Sequence, residues 1–175
     1  MKFDNSKGYT LVELLVAITV IAVLVGVLIF TLQSSRSAAR DGRRKADLAY
    51  MQSGFEELYT DCRSYYSTSA INDRFPGGSQ AGSPIIGISS LPSPCLASNT
   101  YLESLPSDPL YPPRQYRYNS TSEFDAGLGV NVVREYYLCA ALETALTPAM
   151  DVTNCGGQCG NVACNYIVGS SHSIE

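Results

Sequence analysis

Tryptophan is absent from the chain and histidine occurs once, at His172. A single imidazole leaves few groups for acid–base catalysis near neutral pH. The GxSxG, HExxH and Walker patterns, which would mark a nucleophile elbow, a zinc protease or a phosphate loop, are missing. Gly127-Leu128-Gly129 is a lone turn, not a phosphate cradle. Basic excess is also lacking. The formal net charge is −4, which argues against a general nucleic-acid binder. No proline occurs before Pro76, so no ring breaks a helix in that stretch. These absences nominate no catalytic set, and no enzyme activity is expected.

What is present is strongly partitioned. The 175 residues suggest one domain plus an appendage. Residues 9–32 read YTLVELLVAITVIAVLVGVLIFTL, long enough to cross a hydrocarbon layer of about 30 Å as a helix. A secretory signal would have a shorter apolar core followed by a small-residue cleavage site. One charge interrupts the run, Glu13. A carboxylate there costs about 2.5–3.5 kcal/mol on insertion scales, which marks a functional candidate that needs a partner. The alternative is a side chain near a helix end that snorkels to the interface.

All six cysteines, Cys62, Cys95, Cys139, Cys155, Cys159 and Cys164, lie beyond the apolar run. An even count in a small, loop-rich domain reads as a disulfide set in an oxidising compartment. We expect Cys62–Cys95 to tie a helix end to the following loop. Cys139 then pairs with one of the last three, and the remaining two pair with each other. The competing reading takes Cys155, Cys159, Cys164 and His172 as a metal set, but their spacing departs from the usual zinc patterns. Asp108, Glu123, Asp125 and Asp151 are scattered and fit no calcium loop. Asn119-Ser120-Thr121 is a glycosylation triplet of a kind that also arises by chance.

Helical character is expected to continue past the apolar run to about Cys62. Leu48, Met51, Phe55, Leu58 and Tyr59 repeat at helical spacing on one face. Gly26, Gly42 and Gly54 are the points where such a helix could bend. The basic group Arg36, Arg40, Arg43, Arg44 and Lys45, partly offset by Asp41 and Asp47, reads either as a solvated face or as partners for neighbouring subunits. By the positive-inside rule this group would face the cytoplasm, whereas the cysteines place it outside. Residues 66–113 are rich in Gly, Pro and Ser and read as irregular, with a short helical turn at residues 101–105. Strands are expected at residues 115–119, 134–141 and 165–168. The twelve tyrosines suit core and sheet-face packing.

Lys7-Gly8 directly precedes Tyr9-Thr10-Leu11-Val12-Glu13. This arrangement resembles the class III signal of type IV prepilins and of type II secretion pseudopilins. The ARDGRRKADLAYMQSGFEELYTDCRSYY stretch and SLPSDPLYPP are similar to segments of the pseudopilin group. The resemblance implies an α+β pilin fold: a long N-terminal helix packed on a small antiparallel sheet, with a loop-rich, disulfide-bonded head. It divides the chain into a leader at residues 1–8, a membrane and filament-core helix at 9–32, an amphipathic continuation at 33–65 and a head at 66–175. It implies that a prepilin peptidase cuts between Gly8 and Tyr9, that Tyr9 is N-methylated, and that Glu13 meets the terminal amine of a neighbour and sets register. Tyr9 stands where the family more often has Phe, and the proline that many pilins carry in the apolar helix is missing. The implied partners are further copies of the chain, the peptidase, an assembly ATPase and platform, and membrane lipid before assembly; nucleic acid is not expected. The implied location is the cytoplasmic membrane, then a surface filament or the periplasm. No cofactor is expected, although the calcium of some pseudopilin heads makes the loop carboxylates candidates. The rivals to a pilus subunit are a pseudopilin, a minor or competence pilin, and a single-span anchored binding domain that never polymerises.

Overall fold

The computed structural model describes residues 8–89, 91, 95–144 and 146–170, without the side chains of residues 30–32. The chain divides into two compact units, residues 1–39 and residues 40–175. One helix, α1 (Leu11–Cys62), begins in the first and ends in the second.

In the first unit the stretch of α1 from Leu14 to Ile29 is apolar on every side. Leu14, Leu15, Ile18, Ile21, Leu24 and Leu28 are all more than half exposed. A helix hydrophobic all round needs a lipid or protein surround. Its best 18-residue window has a mean hydropathy of 3.0, and the helix is long and apolar enough to cross a membrane.

In the second unit α1 becomes one-sided. Leu48, Met51, Phe55, Leu58 and Tyr59 are buried, as their spacing predicts. The helix stops where Arg63 takes a left-handed φ of 54°, its N–H still bonded to the Tyr59 carbonyl at 2.9 Å. A side chain in this conformation costs about 1–2 kcal/mol, which glycine avoids at this cap position. Arg63→Gly is therefore expected to stabilise the chain by about 0.5–1 kcal/mol after glycine's own entropy cost. Urea unfolding checks this, and a loss of stability would refute it.

The main sheet has the order β3-β4-β7, all antiparallel. β3 (Arg117–Asp125) and β4 (Val130–Ala140) form a hairpin with Tyr118 opposite Leu138 and a bulge at Thr121/Ser122. β7 (Tyr166–Gly169) pairs with the other side of β4. Two small pairs accompany it: β1 (Ile85–Ile86) with β2 (Thr100–Leu102), and β5 (Gln158–Cys159) with β6 (Val162–Ala163). A five-residue helix, α2 (Thr68–Asn72), protects the edge of β3. Asn72 Oδ1 accepts from the Tyr118 N–H at 3.2 Å, and Thr68 Oγ1 accepts from the Ser120 N–H at 2.9 Å. Such covering blunts an edge that would otherwise pair with another strand.

Three expectations change. Residues 101–105 do not form a helical turn, because Thr100–Leu102 pair with β1 and alternation buries Leu102. The irregular stretch contains α2, β1 and β2, elements too short for periodicity to reveal. Gly54 sits at a close approach inside α1: a Cβ there would lie 2.3 Å from Leu102 Cγ.

The core joins α1 to the sheet through aromatic rings. Phe55 lies 5.4 Å from Tyr118 and 5.3 Å from Tyr136, and Tyr65 meets Tyr136 edge-on at 4.6 Å, measured between ring centroids. A smaller cluster gathers Cys139, Ala141, Cys155, Cys159 and Cys164.

Candidate assembly site at the helix N-terminus

Four N–H groups at the start of an α-helix lack intrahelical partners. Here Thr10 and Glu13 satisfy part of that need reciprocally. The Glu13 N–H donates to Thr10 Oγ1 at 3.2 Å, and the Thr10 N–H donates to Glu13 Oε2 at 3.0 Å. The Thr10 hydroxyl also donates to Glu13 Oε2, at 2.9 Å. This is a capping box of the T-x-x-E type. Thr10 was missed in the sequence reading, although the spacing from Thr10 to Glu13 is itself the signature.

The box gives Glu13 an internal partner at the place where an isolated carboxylate is expensive. Only Oε2 is used by Thr10, so among the described residues Oε1 stays open to a second donor. Gly8 and Tyr9 precede the box and are exposed, Tyr9 by 89%. Both thus lie in non-helical chain just ahead of a capped helix. The rest of the segment expected to be a leader, residues 1–7, lies outside the described residues.

The basic group after the apolar run is not simply a solvated face. Arg44 has no exposed side-chain surface. Its Nε and Nη2 donate to the two oxygens of Asp108 at 2.7 and 3.0 Å, and Nη1 donates to Asp41 at 2.7 Å and Glu143 at 2.8 Å. Arg40 clamps Glu143 from the other side, with Nε 2.7 Å from Oε1. Asp41 in turn accepts the backbone N–H groups of Glu143 and Thr144. Burial opposes the Arg44 charge, yet the bonds to Asp108, Glu143 and Asp41 outweigh it and raise its pKa. The Arg40 hydrogen bond and then Arg44 hold Glu143 down at about 2 against desolvation. Burial would raise Asp41, but the two amides and Arg44 lower it. Arg43 and Lys45 remain exposed.

The acids of α1 also anchor tyrosines. Glu56 accepts Tyr136 Oη at 3.2 Å and Tyr65 Oη at 3.1 Å, Asp47 accepts Tyr116 at 2.7 Å, and Asp61 accepts Tyr101 at 2.8 Å. Buried phenols need such acceptors.

The cysteines pair as Cys62–Cys95, Cys139–Cys155 and Cys159–Cys164. The thiolates of the alternative metal set are therefore consumed, and His172 lies outside the described residues. Asp108 is committed to Arg44; Asp125 caps the hairpin turn and meets Arg134 at 2.6 Å; Asp151 caps Thr153; Glu123 is exposed on β3. Among the described residues no group of three or more His, Cys, Asp or Glu is placed to hold a metal ion. Asn119 of the glycosylation triplet lies within β3, its Nδ2 bonded to the Asn154 carbonyl at 2.8 Å.

A family model points to the same end of the chain. Residues 4–29 match the family model described as the prokaryotic N-terminal methylation motif. The type IV wide pilus major component PilA4 of Thermus thermophilus is 42% identical over 69 residues, covering 38% of this chain. The chain spans half the length of that curated relative. No solved structure matches the chain. A methylation motif over a capped apolar helix, a helix–sheet head closed by three disulfides and likeness to a pilus component together make this chain type IV pilin-like.

Proposed function

We propose that this chain is the structural subunit of a type IV pilus-like filament, cut between Gly8 and Tyr9 and methylated on the Tyr9 amine. The observation that carries the reading is the methylation motif over residues 4–29, which contains Gly8, Tyr9 and Glu13. On this reading residues 1–8 are a leader, 9–32 the membrane and filament-core segment, 33–65 its continuation and 66–175 the head. The partners are further copies, a prepilin peptidase, and an assembly ATPase with its platform. The subunit waits in the cytoplasmic membrane and then enters a surface filament. The role is structural, and no cofactor enters it.

The capping box gives the assembly step a physical form. In the membrane Glu13 is held by Thr10 of its own chain. Cleavage creates a cationic amine at Tyr9, and the open Oε1 of Glu13 can receive the amine of an adjacent copy. In a low-dielectric bundle opposite charges attract strongly and each alone is costly, so one axial register is favoured.

Mass and N-terminal sequence of the chain from sheared filaments and from membranes test this. A methylated Tyr9 start is expected, and an intact Met1 in cells that hold the peptidase would leave an anchored domain that does not polymerise. Glu13→Gln separates charge from capping, because glutamine also completes a capping box. Filament yield is expected to fall about tenfold or more, because an unpaired buried amine is costly, while processed subunit remains in the membrane. Undiminished filaments would assign Glu13 to capping alone.

A further inference from the structure

Within the head, α1 leaves one face uncovered. Arg43, Ala46, Tyr50, Ser53 and Glu57 are all exposed. Arg43, Tyr50 and Glu57 repeat every seven residues, as do Ala46 and Ser53, so the five share one stripe with little angular drift. Tyr50 is 48% exposed, large for an aromatic ring in the middle of a packed helix. The stripe is polarised. The Arg43 side chain is 64% exposed and reaches its own Asp47 only at 3.8 Å, a surface i,i+4 pair of small value that leaves the guanidinium accessible. Glu57 stands at the other end, with Asp61 nearby; both act electrostatically on the Tyr101 hydroxyl.

We propose that this stripe is the contact between heads of successive copies of this chain, packed parallel but staggered, with Arg43 of one copy against Glu57 of the next. The inference rests on the filament reading, which makes all copies point the same way. Parallel helices in register would set Arg43 on Arg43 and Glu57 on Glu57, which is repulsive at both ends. A shift of about 14 residues, ~21 Å at the helical rise, replaces both repulsions with one attraction. Ala46 beside Arg43 on one copy and Ser53 beside Glu57 on the next are small enough to let the backbones approach at the ion pair. Such a contact joins two different patches of the same chain. It is heterologous, and repeated it generates an open helical array rather than a closed dimer.

The test uses the full-length chain in its own cells, with filaments counted by electron microscopy and the membrane pool measured by immunoblot. Arg43→Glu and Glu57→Arg are each expected to cut filament number about tenfold with the pool unchanged, and the double variant to recover to within about twofold. Normal filaments from both single variants, or a double variant no better than either, overturns the proposal while leaving the filament reading intact. Should a single variant deplete the membrane pool, cysteine cross-linking decides. A ladder of cross-linked copies is expected only when Arg43→Cys and Glu57→Cys are combined. Dimers from Arg43→Cys alone, or no ladder from the pair, overturn the stagger. Absence of filaments from the unaltered chain would remove the filament reading and this inference with it.

Discussion

Arg44→Ala is expected to destabilise the head by about 3–5 kcal/mol, the usual range when one partner of a buried ion cluster is removed. The reason is what remains. Asp108 and Asp41 are buried and Glu143 is largely covered, so three carboxylates lose their shared guanidinium at once. Arg40→Ala should cost only about 1 kcal/mol, since its side chain is 32% exposed. Urea unfolding of the chain in detergent compares the two, and equal costs would contradict the burial argument. The pH dependence gives a second check. Glu143 and Asp41 have folded pKa values below their ordinary ones, so the unfolded chain binds protons first as the pH drops. Their stabilisation is complete above about pH 4.5 and is lost as the pH falls toward 2. With Arg44 gone both carboxylates move back toward ordinary values. The variant should therefore lose less stability than the unaltered chain between neutral pH and about pH 3.

Removing the Cys62–Cys95 bridge is expected to cost about 2–5 kcal/mol. It closes the longest loop of the three disulfides, its cysteines standing 33 positions apart in sequence against 16 and 5 for the others. Loop-closure entropy grows with loop length, so stability losses should rank in that order in paired Cys→Ala variants. The bridge also fixes the last turn of α1 to the segment before β2, where Cys95 Sγ accepts the Ile88 N–H at 2.9 Å. A larger loss on replacing Cys159 and Cys164 than on replacing Cys62 and Cys95 would contradict the entropic ranking. Thermal unfolding with and without reductant gives the combined loss of the three bridges for the native chain.

Much of this architecture is legible one residue at a time. The α1 stripe from Leu48 to Tyr59 follows from helical spacing, and the buried set matches it residue for residue. Strands β3, β4 and β7 overlap the stretches that alternating tyrosines or strand-like composition suggest, although β3 runs on through the mostly polar residues 120–125 and β4 begins at Val130, ahead of the expected Arg134. The short elements escape, because two or three residues carry no measurable period. Thr10 is a different kind of omission. The capping signature was present but stood within a segment read for membrane insertion rather than for helix initiation.

The sequence by itself determined that the N-terminus is a long apolar helix with one carboxylate, that the cysteines form disulfides away from it, and that a one-sided helix lies on a sheet. These are consequences of composition and local period, which need no knowledge of what lies across the core. Only the tertiary structure decided that Arg44 is buried and Arg43 is not. The two are adjacent in sequence and identical in chemistry, but helical rotation turns Arg44 toward Asp108 and Glu143, residues about 64 and 99 positions further along the chain. It also decided which cysteines meet and which acids of α1 receive the tyrosine hydroxyls. Those choices depend on distances between residues remote in sequence, and burial makes each of them binding, since a charge or phenol without its partner in the core is costly.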